Sequence, residues 1–327
     1  MKVSEAVELA RPFTLLPPLL GIVSGAVCAF GSAHNPDPAR AVTAPVLLTV
    51  ALGGACAALL NAGSNVINQV ADLEADRVNK PGRPIPSGRV GEGEAWRLAA
   101  ALYLLGTLPV WLVVPFPAVT VAERLHAPPA AHGVFFLYLA AAVATLMYSL
   151  PALGRTKRFG VWANVTIAIP RGVWLKVAGW GMVASTLHWE AWWIGLVFGL
   201  FLLGASSTKD FSDMKGDAAS GVRTLPVKHG VHRAAWMIAP AFVLPWLLLP
   251  LGTVLRDPSD PALRLLTGNP AVLVALGLGL AAWGIYTCTL LLRDPEALAR
   301  TENHPSWTHM YLMMMVAQVG FAAAYLV

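Results

Sequence analysis

The chain has 327 residues, 56% of them hydrophobic and only 13% charged, with a mean hydropathy of +0.61. A soluble domain carries roughly 25% charged residues, so this sequence cannot clothe a molecule of its size in water-facing surface. The net charge of +5 follows membrane topology and gives no reason to expect a nucleic-acid partner.

A spanning helix needs about 20 mainly apolar residues. In chain order, nine stretches qualify: near 11–32, 43–69, 95–115, 131–149, 160–183, 190–208, 232–255, 269–292 and 307–327. They predict an all-α fold, an integral membrane bundle of about nine transmembrane helices forming a single domain over 1–327. No cleaved signal peptide is evident, because the first apolar run follows a short polar start (Lys2, Glu5, Glu8, Arg11) and continues into the body of the chain. Cys28, Cys56 and Cys288 fall within spans, lack metal-ligand spacing and read as small apolar fillers.

With the N-terminus inside, the inner segments hold 17 basic residues against 4 outside (Arg40, Arg124, Arg256 and Arg264), while Arg171 and Lys176 lie within the fifth span. An excess of Lys and Arg marks the cytoplasmic side. The expected location is therefore the cell (inner) membrane, with the N-terminus and the loops after helices 2 and 6 cytoplasmic.

Those two loops carry the chemistry. After helix 2 comes Asn68-Gln-Val-Ala-Asp72-Leu-Glu-Ala-Asp76-Arg77, then Asn79-Lys-Pro-Gly-Arg83-Pro-Ile-Pro-Ser-Gly88. After helix 6 comes Lys209-Asp210-Phe-Ser-Asp213-Met-Lys-Gly-Asp217, followed by Thr224-Leu-Pro-Val227. Asn68, Asp72 and Asp76 share one helical face, and the stripe extends back to Asn65 and Asn61. Such a stripe cannot face lipid and must meet a polar cavity or a partner helix. Asp213 and Asp217 repeat the carboxylate pair 141 residues later. The repeat predicts two related four-helix units, about 11–150 and 160–292, plus a ninth helix.

Two nearby carboxylate clusters repel unless something bridges them. Mg²⁺ is usually held by one or two carboxylates together with substrate phosphates. Two such ions shared with a diphosphate give every charge a partner and stabilise departing pyrophosphate. A solvated loop start is the plainer explanation for either pair alone; two pairs on one side, each followed by a basic Pro/Gly loop, favour the metal–diphosphate site.

Asn68-x₃-Asp72-x₃-Asp76 and Asp213-x₃-Asp217, with the flanking 79–88 and 224–227 segments, resemble the paired aspartate motifs of the UbiA superfamily of intramembrane prenyltransferases. The resemblance covers essentially the whole chain. It implies a bundle around a central cavity with a lateral opening for an isoprenoid tail, and Mg²⁺-assisted ionisation of a polyprenyl diphosphate ahead of attack by a hydrophobic acceptor. Carried over, Asn68, Asp72, Asp76, Asp213 and Asp217 hold metal and diphosphate, and Arg77, Arg83 and Lys209 contact phosphate. Tyr148-Ser149-x-Pro151 with Arg155, Lys157 and Arg158 resembles the segment after helix 4, where a Tyr lies near the reacting carbon and basic residues meet the diphosphate; an interfacial anchor is the other reading of Tyr148. Asn164 resembles a cavity Asn. Gln69 and Ala218 depart from the common pattern without removing a ligand. They leave the acceptor open among an aromatic quinone precursor, a tetrapyrrole pigment and a glycerol-phosphate lipid.

Within helix 5, charge costs at least about 2.5 kcal/mol at the bilayer centre. Lys176 is expected to snorkel or sit near the outer end, and Arg171 to face the cavity and meet the acceptor or a carboxylate partner. Trp189, Trp192 and Trp193 read as an interfacial girdle, while Trp162 and Trp174 are candidates to line the cavity. Met310, Met313, Met314 and Met315 need no more than packing or lipid contact. The rival functions are an ion-coupled secondary transporter, which places its carboxylates near the midplane, and an inactive lipid-binding homologue.

Overall fold

The computed structural model describes residues 1–115 and 120–327. Helices dominate, and among the described residues eight are long and apolar enough to cross a membrane. After the short α1 (Val3–Ala10) these are α2 (Pro12–Gly31), α3 (Ala44–Ala71), α5 (Glu92–Leu112) and α7 (Pro129–Ser149), then α9 (Trp189–Ala219), α11 (Val231–Val254), α12 (Pro270–Arg293) and α14 (Pro305–Leu326). Shorter helices α4 (Leu73–Asn79), α6 (Val121–Leu125), α10 (Leu225–His229) and α13 (Pro295–Arg300) lie in the connections. The ninth expected crossing, α8 over 161–180, is continuous but less apolar because it carries Asn164, Arg171 and Lys176.

The long helices close a ring. In packing order it runs α2, α3, α5, α7, α8, α9, α11, α12, α14 and back to α2, with α2 also seated on α8. The α2–α8 approach needs small residues: a side chain at Gly25 would meet the Lys176 carbonyl at 2.8 Å and Gly179 Cα at 3.1 Å. The ring leaves a cavity between α2, α3, α7, α8, α9 and α14.

Three local features shape the acidic end of the bundle. Helix α3 breaks at Asp72 (φ −100°, ψ 13°), yet the backbone bonds Asp72 N to Asn68 O (2.9 Å) and Asp76 N to Asp72 O (2.8 Å) carry the helical register into α4. Helix α9 tightens to 3₁₀ over Ser206–Lys209 before its acidic last turns. Helix α8 contains a π-helical turn over Ile169–Trp174. It begins beside Pro170, which has no N–H to offer an α-helical ladder.

Lys176 does not snorkel, although it stands about one turn from the end of α8. It is 2% exposed, donates to Gln318 Oε1 of α14 and lies 4.4 Å from the centre of the Phe198 ring. Gly25 and Gly179 draw α2 over that face of α8, which closes the route a snorkelling side chain needs. Trp192 and Trp193 are half-buried and donate to Thr186 O (2.8 Å) and Leu248 O (3.1 Å); of the three, Trp189 is the exposed one. Trp162 faces away from the cavity and is 65% exposed.

Candidate functional site

The asparagine stripe on α3 does two jobs. Asn61 Nδ2 donates to Thr14 O (3.0 Å), and Asn65 Nδ2 to Ala10 O and Thr14 Oγ1 (both 2.8 Å). Gln69 Nε2 donates to Leu9 O (2.8 Å). The Asn65 and Gln69 amides satisfy carbonyls at the end of α1, which have no helical donor, and together with Asn61 they fasten the chain where it turns into α2. Gln69 is thus a structural tie, which explains why a polar but uncharged residue stands there.

Further along α3 and α4, Asn68, Asp72 and Asp76 line the cavity, and Asp210, Asp213 and Asp217 of α9 line it from across. The two acidic ends meet directly: Lys80, in the loop after α4, places Nζ 3.0 and 3.1 Å from the two carboxylate oxygens of Asp213. Arg83 of the same loop pairs with Asp76 at 2.5 Å. Asp72 takes Arg155 at 3.0 Å and also Lys157, both from the loop after α7. That loop is set by a tight turn through Gly154 (φ 97°) and Arg155 (φ 42°) and by backbone pairing of Phe159 with Arg223. Among the described residues, Asp210 and Asp217 form no ion pair.

Tyr148 also lines the cavity, together with Asp72, Asp210, Asp217 and Arg171. Ser149 Oγ lies 3.4 Å from Asn68 Oδ1. Lys209 lines the wall while donating to Glu302 O (3.1 Å), with its Nζ 5.7 Å from the Trp307 ring centre. Arg83, Lys157 and Arg171 line it too.

Three expected residues stand apart. Arg77 is 55% exposed and pairs with Glu74 at 2.6 Å on the outer face of α4; one helical position from Asp76 turns it about 100° away from the cavity. Arg158 is exposed, beyond the turn that aims Lys157 inward. Asn164 is buried between α8 and α9, donating to Leu203 O (2.7 Å) and Ser207 Oγ (2.8 Å), so it joins helices without lining the cavity.

Other lining residues were not anticipated. Arg11 sits in a left-handed conformation (φ 53°) just before α2, and its Nη2 is buried without a hydrogen-bond partner. Burial, then the neighbouring Arg83, pulls this guanidinium down to about 10, although Asp76, Asp72 and Asp213 favour its charge. Asp210 was legible in principle, since positions 210, 213 and 217 share a helical face. Met310 and Met314 of α14 add an apolar wall.

The polar cavity, ≈ 350 Å³ in volume, continues past Pro18, Asn61, Thr145 and Arg171 into an apolar branch. Leu60, Leu137, Tyr138, Ala141, Trp174 and Ala178 wall this branch. A charged headgroup fits one end and a hydrocarbon tail the other. All the lining aspartates stand at the ends of α3–α4 and α9, away from the midplane location that a coupled carrier uses.

Among the described residues no three His, Cys, Asp or Glu side chains form a ready-made metal site. The available donors, carboxylate and amide oxygens, are hard, and they suit Mg²⁺, which takes few protein ligands and completes its shell with phosphate and water.

Comparison with known proteins agrees with this geometry. Residues 16–123 and 129–312 match the UbiA prenyltransferase family. Over 255 residues the chain is 33% identical to digeranylgeranylglyceryl phosphate synthase of Ignicoccus hospitalis, covering 76% of this chain and 74% of the relative. Over 319 residues it is 27% identical to the bacteriochlorophyll synthase 34 kDa chain of Chloroflexus aurantiacus, covering 98% and 90%. In fold it matches the solved structure of a UbiA homologue from Archaeoglobus fulgidus bound to GPP and Mg²⁺, with a TM-score of 0.68 at 20% identity over 99% of this chain and 100% of that one. With the family match spanning most of its length, the chain belongs to the UbiA prenyltransferase family and is a membrane-embedded enzyme.

Proposed function

We propose that the cavity transfers an isoprenyl group from a polyprenyl diphosphate to a lipid-soluble acceptor. One observation carries the reading: two acidic helix ends and a set of Lys and Arg side chains surround a polar chamber that opens into an apolar branch. Asp72, Asp76, Asp213 and Asp217, with Asn68, are the groups that would hold Mg²⁺. When bound, the ion neutralises charge growing on pyrophosphate as the allylic C–O bond breaks and its electron pair departs with that group.

The chain's own residues do the rest. Lys80, Arg83 and Lys157 pair with carboxylates of the site, and a diphosphate offers the same cations a denser set of acceptors. Arg11, with a guanidinium nitrogen lacking a partner, is poised to add to them, and Lys209 lies on the same wall. Tyr148 lines the polar chamber one helical turn from Thr145, which borders the tail branch, so its ring is the aromatic group we assign to the carbon that becomes cationic. The acceptor's nucleophile then bonds to that carbon and releases a proton. The excess of Lys and Arg supports a cytoplasmic position for the acidic end, at the cell membrane.

The test is product analysis with purified protein in lipid nanodiscs, geranylgeranyl and longer diphosphates, and a panel of acceptors. We expect Mg²⁺-dependent release of pyrophosphate with a prenylated product. Absence of Mg²⁺-dependent binding or turnover of every prenyl diphosphate would overturn the reading.

A further inference from the structure

Among the described residues, Arg171 is a cation without a hydrogen-bond or ion-pair partner. It lies about 14 Å from either end of α8, near the middle of the membrane, where an isolated charge is disfavoured strongly enough to mark function. Every cation that lines the acidic end, except Arg11, has a named acceptor or ion-pair partner. Arg171 has no hydrogen bond or ion pair among the described residues, and its side chain is open to the cavity.

Its placement is built into the helix. Next to it, Gly172 packs so closely on α9 that a side chain there would meet Gly199 Cα at 2.5 Å. This fixes one face of the π-helical turn against α9, and Arg171, one position along and so on a different face, is presented to the cavity. There it lines both the polar chamber and the apolar branch, at their junction. π-helical turns are uncommon and are frequent at functional positions. Lys176, farther along the same helix, is already held by Gln318 and Phe198, which leaves Arg171 as the cation in this wall that is open to a ligand.

Taking the prenyl-transfer reading of the cavity as its basis, we infer that Arg171 docks an oxyanion, a phosphate or a carboxylate, carried by the acceptor. The diphosphate end has its own cations, so a second anion binding deeper in the cavity belongs to the other substrate. A planar guanidinium matches both oxyanions through paired N–H donors. The acceptor class is thereby narrowed to an anionic amphiphile, with its charged group at the junction and its nucleophile towards Tyr148.

The test is equilibrium binding to the full chain in nanodiscs, with Mg²⁺ and a geranylgeranyl thiodiphosphate filling the headgroup end. Three probes share one ether-linked tail: a glycerol phosphate, a carboxylate and the uncharged glycerol ether. For the wild type, we expect an anionic probe to bind roughly tenfold or more tighter than the neutral one, consistent with a charge-assisted contact. Whichever anionic arm shows the preference identifies the oxyanion. Arg171→Gln should abolish the preference while leaving neutral-probe and thiodiphosphate affinities unchanged, and Arg171→Lys should restore part of it. An unchanged preference in Arg171→Gln, or no preference in the wild type, overturns the inference. Failure of the wild type to bind the thiodiphosphate with Mg²⁺ sinks the prenyl-transfer reading instead.

Discussion

Buried carboxylates occur at both ends of this bundle, and they are satisfied in opposite ways. At the end away from the cavity's acidic mouth, Glu190 is completely buried. It accepts from Ser32 Oγ (2.7 Å), Tyr325 OH (2.5 Å), Thr267 N (2.5 Å) and Thr267 Oγ1 (3.1 Å). Those hydrogen-bond donors are neutral and rigidly held, and His34 Nε2 stands 3.8 Å from the same carboxylate. They tie the C-terminal end of α2, the start of α9, the loop before α12 and the end of α14 into one knot. At the acidic end, Asp72, Asp76 and Asp213 are neutralised by long Lys and Arg side chains from loops, beside an open cavity. A carboxylate saturated by rigid donors holds helices together. One balanced by flexible cations can exchange them for metal and phosphate.

The largest expected effect tests the acidic half of that contrast. Asp72→Ala or Asp213→Ala should lower kcat/KM by at least about 100-fold, the scale of losing electrostatic stabilisation at a reacting centre. The freed Lys and Arg groups rehydrate in the cavity, so the variants should remain monodisperse with a nearly unchanged Tm. Substantial residual turnover in both would remove the metal assignment. Next in size, Glu190→Ala should do the reverse. Several buried donors lose their acceptor at about 1–3 kcal/mol each, so Tm falls while turnover per folded molecule stays close to wild type. If Glu190→Ala instead impaired turnover without loss of stability, the far-end knot would have to be counted as part of the enzyme's working parts.

How each end was built determines how much of it could be read from the sequence. The spans and the Asn68–Asp72–Asp76 and Asp213–Asp217 pairs are local, periodic signals, and a membrane makes them sharper because polar stripes stand out in apolar runs. Arg11 escaped notice because its role depends on a left-handed turn that folds α1 back on α3; along the chain it reads as one more inner-face charge. Asn164 and Arg77 sit next to the right elements but on the wrong faces, and a change of face comes from packing. The Glu190 knot was illegible, since Ser32, Glu190, Thr267 and Tyr325 meet only in the folded bundle and none has a partner within its own element.

A smaller effect probes the link between the two acidic ends. Lys80 reaches from the α4 loop to Asp213, so Lys80→Met removes both that ion pair and a cation for the diphosphate. We expect roughly tenfold weaker thiodiphosphate binding, together with a higher Mg²⁺ requirement as the repelling carboxylates lose a counter-charge. Unaltered affinity and metal dependence would mean that Lys80 serves only to pair with Asp213.

The smallest predicted effect sets the boundary of the site. Arg77 and Arg158 have the charge, sequence neighbourhood and side-chain length of phosphate ligands, but Arg77 is paired with Glu74 in water and Arg158 is exposed. Surface pairs of this kind contribute about 0–1 kcal/mol, and surface substitutions are usually within about 0.5 kcal/mol. Arg77→Ala and Arg158→Ala should therefore leave thiodiphosphate affinity within about twofold of wild type, whereas Arg83→Ala and Lys157→Ala, only a few residues or one residue away, should not. Parallel titrations of the four variants give the comparison directly. If Arg77→Ala weakened binding as much as Arg83→Ala, α4 would have to rotate when substrate enters, bringing its outer face into the chamber and making the Asp72 break a hinge.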